Sequence, residues 1–249
     1  MNTNAVKAAA LALILLSAPI TTQAAELTLL ISNAVKTVME DLVPRFETAT
    51  GHKLAIAYGS TNPMKARIEK GEAFDLTLLG DDAVNDLIKQ GKLVGSTRAG
   101  IARSSLGIAI RQGAVKPDVA TTDAFKRTLV NAKSIGYLDD GLTGTYLNVL
   151  FQRLGIADNI KAKHHSVRGA EAVAGGEVEL GITQISEILY QKGTELAGPL
   201  PPEIQNYTNF SAAISTGAKQ AGPAQELIKY FASADAVRVM KANGLEPAR

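Results

Sequence analysis

Several junctions in this sequence set small or polar residues directly ahead of a helical pattern. They are Ser32-Asn33-Ala34, Ser60-Thr61-Asn62, Gly80-Asp81, the stretch DDGLTGTY (139–146) and ITQIS (182–186). The first-turn amides of a helix carry partial positive charge and lack partners within the helix. They therefore hold anions where hydroxyls and small side chains allow close approach. A single Ser or Thr at such a place caps its own helix, whereas several converging from different strands build one wall of a site. Lys36, Lys65, Arg67 and Arg168 stand within a few residues of these loops. An Arg fork matches a planar carboxylate better than a small tetrahedral ion, so the cluster favours an organic polycarboxylate.

Lys36, Asp81, Asp140, His165 and Glu187 are the nearby groups able to carry a proton. No spacing among them forms a recognisable acid–base pair. His164 and His165 are neighbours on an expected strand and so point to opposite faces, which argues against a metal site. The chain has no Gly-x-Ser-x-Gly elbow, no phosphate-binding P-loop and no Gly-x-Gly-x-x-Gly fingerprint, so hydrolase and nucleotide chemistry are poor readings. The paired glycines of AGGEVE (174–179) fall at a helix end, where a turn accounts for them. No cofactor is expected.

The opening 25 residues read as a cleavable secretory leader. Lys7 is its positive start, residues 8 to 18 its apolar core, and TQAA its small-residue cleavage site. That apolar run falls short of the roughly 20 residues a bilayer span needs. About 225 residues then remain, enough for one large domain or two lobes with real cores. The chain has no cysteine, so disulfides and thiolate metal sites are excluded. Its formal net charge is +2, one unit of which is Lys7. With no basic run and no aromatic platform, nothing points to nucleic acid. The expectation is an exported, periplasmic monomer with a small anionic ligand.

Strand and helix patterns alternate along the chain. ELTLLIS is a near-continuous apolar run, as in a strand buried on both faces. A helical pattern follows from Val35 to Phe46, in which Pro44 predicts a kink or an early stop. KLAIAY (strand), 62–70 (helix), FDLTLLG (strand) and 82–90 (helix) continue the series. After the strand SSLGIAIR (104–111) come a helix at 122–132, the strand SIGYL and a helix at 145–154. A strand at 161–166, a helix at 169–175, the strand ELGIT and a helix at 185–191 complete this block. GPLPPEIQ breaks the pattern, YTNFSAAIS resumes it as a strand, and two helices close the chain. This order predicts an α/β fold of two lobes, each a mixed sheet flanked by helices. One lobe comprises residues 26–104 with 213–249, the other 105–212, and strands 104–111 and 207–215 link them. A ligand cleft is expected between the lobes, at the carboxyl ends of strands.

The segments LTLLIS, ETATGHKLAIAYGS, ARIEKGEAFDLTLLGDD, SVRGAEAVAGGEVELGI and AQELIKYFASADAVRVMKANG also carry a resemblance that spans nearly the whole mature chain. It is to the molybdate-binding proteins of ABC importers, which have the type II periplasmic binding-protein fold. The resemblance implies an importer permease as partner and ligand contacts at Ala34, Thr61, Gly80, Thr143, Val167 and Gln184. Ser32, Asn33, Lys36, Ser60 and Arg168 join these from the loops themselves. Molybdate binders offer a serine hydroxyl where this chain has Ala34 and a tyrosine where it has Gln184, and these departures weigh against molybdate. An exported aconitate isomerase shares the likeness. The expected function is therefore capture of a small oxyanion or, better, a polycarboxylate for import. The alternative is cofactor-independent interconversion of cis- and trans-aconitate by a 1,3-allylic proton shift.

Overall fold

Strand β1 (Glu26–Ser32) alternates its side chains between two cores. Leu27, Leu29 and Ile31 join Leu76 and Leu78 on one face, and Leu30 joins Leu79 on the other. In the computed structural model, which describes residues 24–248, β1 lies parallel to β2 (Lys53–Gly59) and to β3 (Leu76–Gly80). The expected leader lies outside the described residues apart from Ala24 and Ala25. Helices α1 (Lys36–Thr50), α2 (Thr61–Glu69) and α3 (Asp81–Lys89) follow these strands. α1 does not stop at Pro44 but runs through it to Gly51, which caps it at a φ of 76°. Pro44 is exposed, so water can satisfy the backbone carbonyl that loses its donor. Buried Phe46 meanwhile anchors the last turns in the core.

Strand β4 (Ala99–Arg111) belongs to two sheets. Its first half pairs antiparallel with β9 (Tyr207–Ile214), which in turn pairs with β3. Its second half pairs with β7 (Leu180–Gln184) and β8 (Thr194–Pro199). β7 continues in parallel to β5 (Ile135–Tyr137), and β5 to β6 (His164–Ser166). α4 (Thr122–Asn131), α5 (Leu142–Leu154), α6 (Ala157–Lys161), α7 (Gly169–Gly175) and α8 (Ile185–Tyr190) belong to the second sheet's half. α9 (Ala221–Phe231) and α10 (Ala234–Ala242) return to the first core with Leu227, Phe231 and Met240.

The mixed, helix-flanked architecture agrees with the expected α/β class. Three elements differ from the sequence reading. β8 runs into the proline stretch that was expected to break the pattern and ends on Pro199, as an edge partner of β4. β10 (Glu246–Pro247) pairs with Arg103 and Ala102 of β4. The strand expected over 161–166 shrinks to three residues, because α6 takes the preceding stretch.

Two local arrangements hold the cleft walls in place. Asp75, at the entry to β3, is buried, and one carboxylate oxygen accepts from Lys219 N at 2.8 Å and Gln220 N at 2.9 Å. Its other oxygen accepts from Thr28 N at 2.9 Å, tying β1, β3 and the start of α9 together. In the second half, α7 sits directly on the strand backbones. A Cβ added at Gly181 would fall 2.4 Å from the Gly169 carbonyl, and one at Gly169 would fall 2.6 Å from that of Gly136. Only glycines allow this approach, which sets Arg168 at the head of α7.

Asp75→Asn should turn an amide NH₂ against a backbone donor. It is expected to cost about 2–4 kcal/mol in urea unfolding, since a charge-assisted bond is lost and a buried donor is left unpaired. Gly181→Ala should cost about 1–3 kcal/mol by overpacking. Because it pushes α7 off the sheet, it should also weaken ligand binding, measured by calorimetry on the folded variant.

Candidate functional site

The carboxyl ends of the strands in both halves open onto one cavity of about 100 Å³. The loop after β1 contributes Ser32, Asn33, Ala34 and Lys36, and the loop after β2 contributes Ser60 and Thr61. From the other half come Thr143 at the start of α5, Arg168 at the start of α7, and Gln184 at the end of β7. The structure thus gathers nine of the expected contact residues around one space. Gly80 and Val167 are not among the lining residues. Gly80 lies behind Thr61, donating its N–H to Thr61 Oγ1 at 3.4 Å, and a Cβ there would meet Leu142 at 2.6 Å. Val167 turns its side chain onto Gly136 and the apolar cluster of Ala109 and Ala170, which leaves its neighbour Arg168 to face the cavity.

The helices that begin at the cavity leave their first-turn amides without side-chain caps. This is so for α2 after Ser60, α5 after Gly141, α7 after Arg168 and α8 after Gln184. Ser60 therefore occupies an N-cap position without capping. Helices α4 and α10 are capped in the ordinary way by Thr121 and Ser233. Ser32 is the exception at the cleft, accepting from Ala34 N at 3.4 Å. Uncapped helix starts facing one space make it electropositive without any ion.

The side chains add a second layer. Gln184 is buried and donates through Nε2 to Thr208 Oγ1 at 3.0 Å, while its Oε1 has no partner. A buried amide atom left unpaired in a cavity wall is costly unless something else completes it. Lys36 Nζ sits 5.7 Å from the centre of the Tyr58 ring and 5.3 Å from that of Tyr190, with Glu40 at 3.7 Å. Burial pushes the Tyr58 hydroxyl up to about 12, helped by Glu40 and Tyr190, so it stays neutral. Arg168 Nη1 donates to Glu171 Oε1 at 2.9 Å and remains half exposed.

Glu187, three residues beyond Gln184, lines the same cavity, and the hydroxyl of Thr183 donates to its carboxylate. Burial raises its pKa above the usual carboxylate value, and Glu171 adds to this. The Thr183 hydrogen bond and the charge of Arg168 oppose the shift.

Hydrogen bonds also cross the cleft. Asn62 Nδ2 donates to Asp140 O at 2.8 Å, Ser186 Oγ to Ala34 O at 2.7 Å, and Tyr190 OH to Glu40 Oε1 at 3.0 Å. The two halves therefore touch around the cavity rather than standing apart.

Other residues singled out in the sequence lie elsewhere. Asp81 accepts from Ser211 Oγ at 2.5 Å and pairs with Arg98 at 3.0 Å, and it does not line the cavity. Asp140 and His165 are exposed outside the lining. Lys65 is held by Asp86 at 3.1 Å and Arg67 by Glu72 at 2.5 Å, both on the outer surface of α2. His164 stacks on Tyr137 with ring centres 3.9 Å apart. Among the described residues no group of three or more His, Asp or Glu side chains is placed to hold a metal. Thr208, Phe210 and Tyr190 line the cavity without having been anticipated, and Thr183 does so from the expected ITQIS junction. The only signal for the first two was the alternation of YTNFS, which sets both on one face of β9.

Known proteins agree with this architecture. Over 243 residues the chain is 33% identical to an aconitate isomerase of a Pseudomonas species, covering 94% of this chain and 91% of that protein. It is 29% identical over 240 residues to the molybdate-binding protein ModA of Azotobacter vinelandii, with 89% and 90% covered. The solved structure of the periplasmic molybdate-binding protein of Azotobacter vinelandii superposes with a TM-score of 0.72 at 20% identity. That match covers 90% of this chain and 100% of that one. A family model described as bacterial extracellular solute-binding protein matches residues 27–246. With the model spanning nearly every described residue and the fold in agreement, the chain belongs to the bacterial extracellular solute-binding protein family.

Proposed function

We propose that the cavity holds a small polycarboxylate and that the protein captures this solute outside the cytoplasm for delivery to an importer permease. One observation carries the reading. Lys36 and Arg168 reach one cavity from opposite halves, and its walls include the uncapped starts of α2 and α5. Cations on both sides suit a ligand with carboxylates at both ends better than one compact ion. Ala34 supports the same reading, because it offers no hydroxyl and its carbonyl is already taken by Ser186. Capture would proceed by movement of the two halves about β4, where the sheets join. The family, the expected leader and the absence among the described residues of any helix able to cross a membrane fit a periplasmic location.

A second reading has its own support. Glu187 is a titratable carboxyl in the cavity wall, a group able to take a proton and return it. The relative that shares 33% identity is an aconitate isomerase, and aconitate is a tricarboxylate. Conversion of cis- to trans-aconitate in the same cleft, without a cofactor, fits both facts.

Calorimetry with trans-aconitate and with molybdate tests the ligand class. Aconitate should bind and molybdate should not. Lys36→Ala and Arg168→Ala should each weaken aconitate binding tenfold or more, since a charge-assisted hydrogen bond is worth about 1.5–3 kcal/mol. Molybdate binding without aconitate binding would sink the polycarboxylate assignment.

A further inference from the structure

We propose that Glu187 is the proton-transferring residue of an allylic isomerisation in the cleft, with Thr183 as the positioning residue that holds its carboxylate. The inference rests on the second reading above and names the group on which that reading depends.

The other candidates are removed by their surroundings. Asp81 is engaged by Arg98 and Ser211 away from the cavity, and Asp140 and His165 lie outside its lining. Glu171 lines the cavity but is exposed and paired with Arg168. Tyr190 is at the rim, donating to Glu40 across the cleft. Glu187 alone among these lines the cavity with its carboxylate held by a neutral donor, the Thr183 hydroxyl, rather than by an ion pair. Thr183 precedes it by four residues, at the end of β7, so the strand-to-helix turn itself sets the carboxylate's direction.

The step balances without an outside reagent. Aconitate's methylene protons are allylic and lie next to a carboxylate. The ionised Glu187 takes one of them, and the C–H electron pair joins the double bond to form an allylic carbanion spread onto the flanking carboxylate oxygens. Glu187, now a carboxylic acid, returns the proton to the formerly vinylic terminal carbon, and the double bond settles on the other side. One carboxyl on one face of the substrate suffices. Lys36 and Arg168 neutralise the charge that grows in between, together with the free amides of the uncapped helix starts.

Burial holds the carboxyl above its ordinary value of 4.5, which makes the ionised form a stronger base than an exposed glutamate. The charged and titratable groups around it are Arg168 and Glu171 from α7, Lys36 from α1 and Tyr190 from its own helix. Turnover should rise with pH through the Glu187 ionisation. The fold favours the protonated acid, so its contribution to stability is present in acid and is lost as pH rises through the raised pKa. Glu187→Gln should therefore melt higher than the wild type at pH 8, with the difference closing towards pH 4.

The test follows trans-aconitate by proton NMR in D₂O, with calorimetry on the same samples. The wild type is expected to bind and isomerise it. E187Q should bind within about threefold, while turnover falls about 100-fold or more, the scale of general-base contributions. E187D should retain binding with turnover cut at least tenfold, and it serves as the test variant should E187Q melt early. Thr183→Val should lower kcat more than it changes KM. Wild-type turnover in E187Q or E187D would overturn the assignment. A wild type that binds without isomerising would also overturn it, while leaving the capture reading intact. A wild type that does not bind aconitate at all would remove both.

Discussion

The site depends on one shared strand. β4 donates its first half to one sheet and its second half to the other. A continuous hydrogen-bonded strand fixes where the two sheets' edges fall relative to each other. With β1, β2 and β3 running parallel on one side, and β5 and β7 parallel on the other, their carboxyl ends must meet across a gap. The helices that follow those strands then begin at the gap. An electropositive cleft is therefore a product of strand direction before any charged side chain is considered.

The polar features of the cleft carry a cost that the cores must offset. Uncapped helix starts, an amide oxygen without a protein partner and a partly buried carboxyl are each unfavourable on their own. At several places away from the gap the same chain meets such needs locally. Thr121 and Ser233 cap their helices, Asp75 satisfies three backbone donors, and Lys163 Nζ donates to the carbonyls of Val130 and Ala132 at the end of α4. The contrast is partial, since α3 and α6 also start without side-chain caps although neither Gly80 nor Ile156 lines the cavity.

Much of the first half was readable from the sequence, because period-two alternation and near-continuous apolar runs are local properties. ELTLLIS is β1 with the expected bounds, and the αL glycine after Thr50 ends α1 as its residue type requires. What escaped the sequence was non-local. β8 and β10 are strands because β4 offers them an edge, which no window of ten residues reveals. Pro44 reads as a helix breaker until its exposure is known. Gly80 and Val167 fall in the right loops, yet one is covered by Thr61 and the other is turned into an apolar cluster. Thr208 reaches the cavity from β9, far along the chain from the other walls. Loop membership can be inferred from a sequence, but the direction of each side chain within the loop is set by its neighbours in space.

The bonds that span the cleft are made by residues other than those offering charge to a solute. Asn62, Ser186 and Tyr190 bridge the halves using protein groups at both ends. Closure stabilised in this way does not wait for an occupant, so the halves can separate only during an interval in which these bridges are broken. For a solute whose exchange needs the halves apart, the frequency of such intervals would limit arrival and departure alike. Unequal ease of entering and leaving would then require something that breaks the bridges from outside. A membrane partner supplies such an agent, whereas a reaction whose substrate and product have the same charge and nearly the same shape needs none.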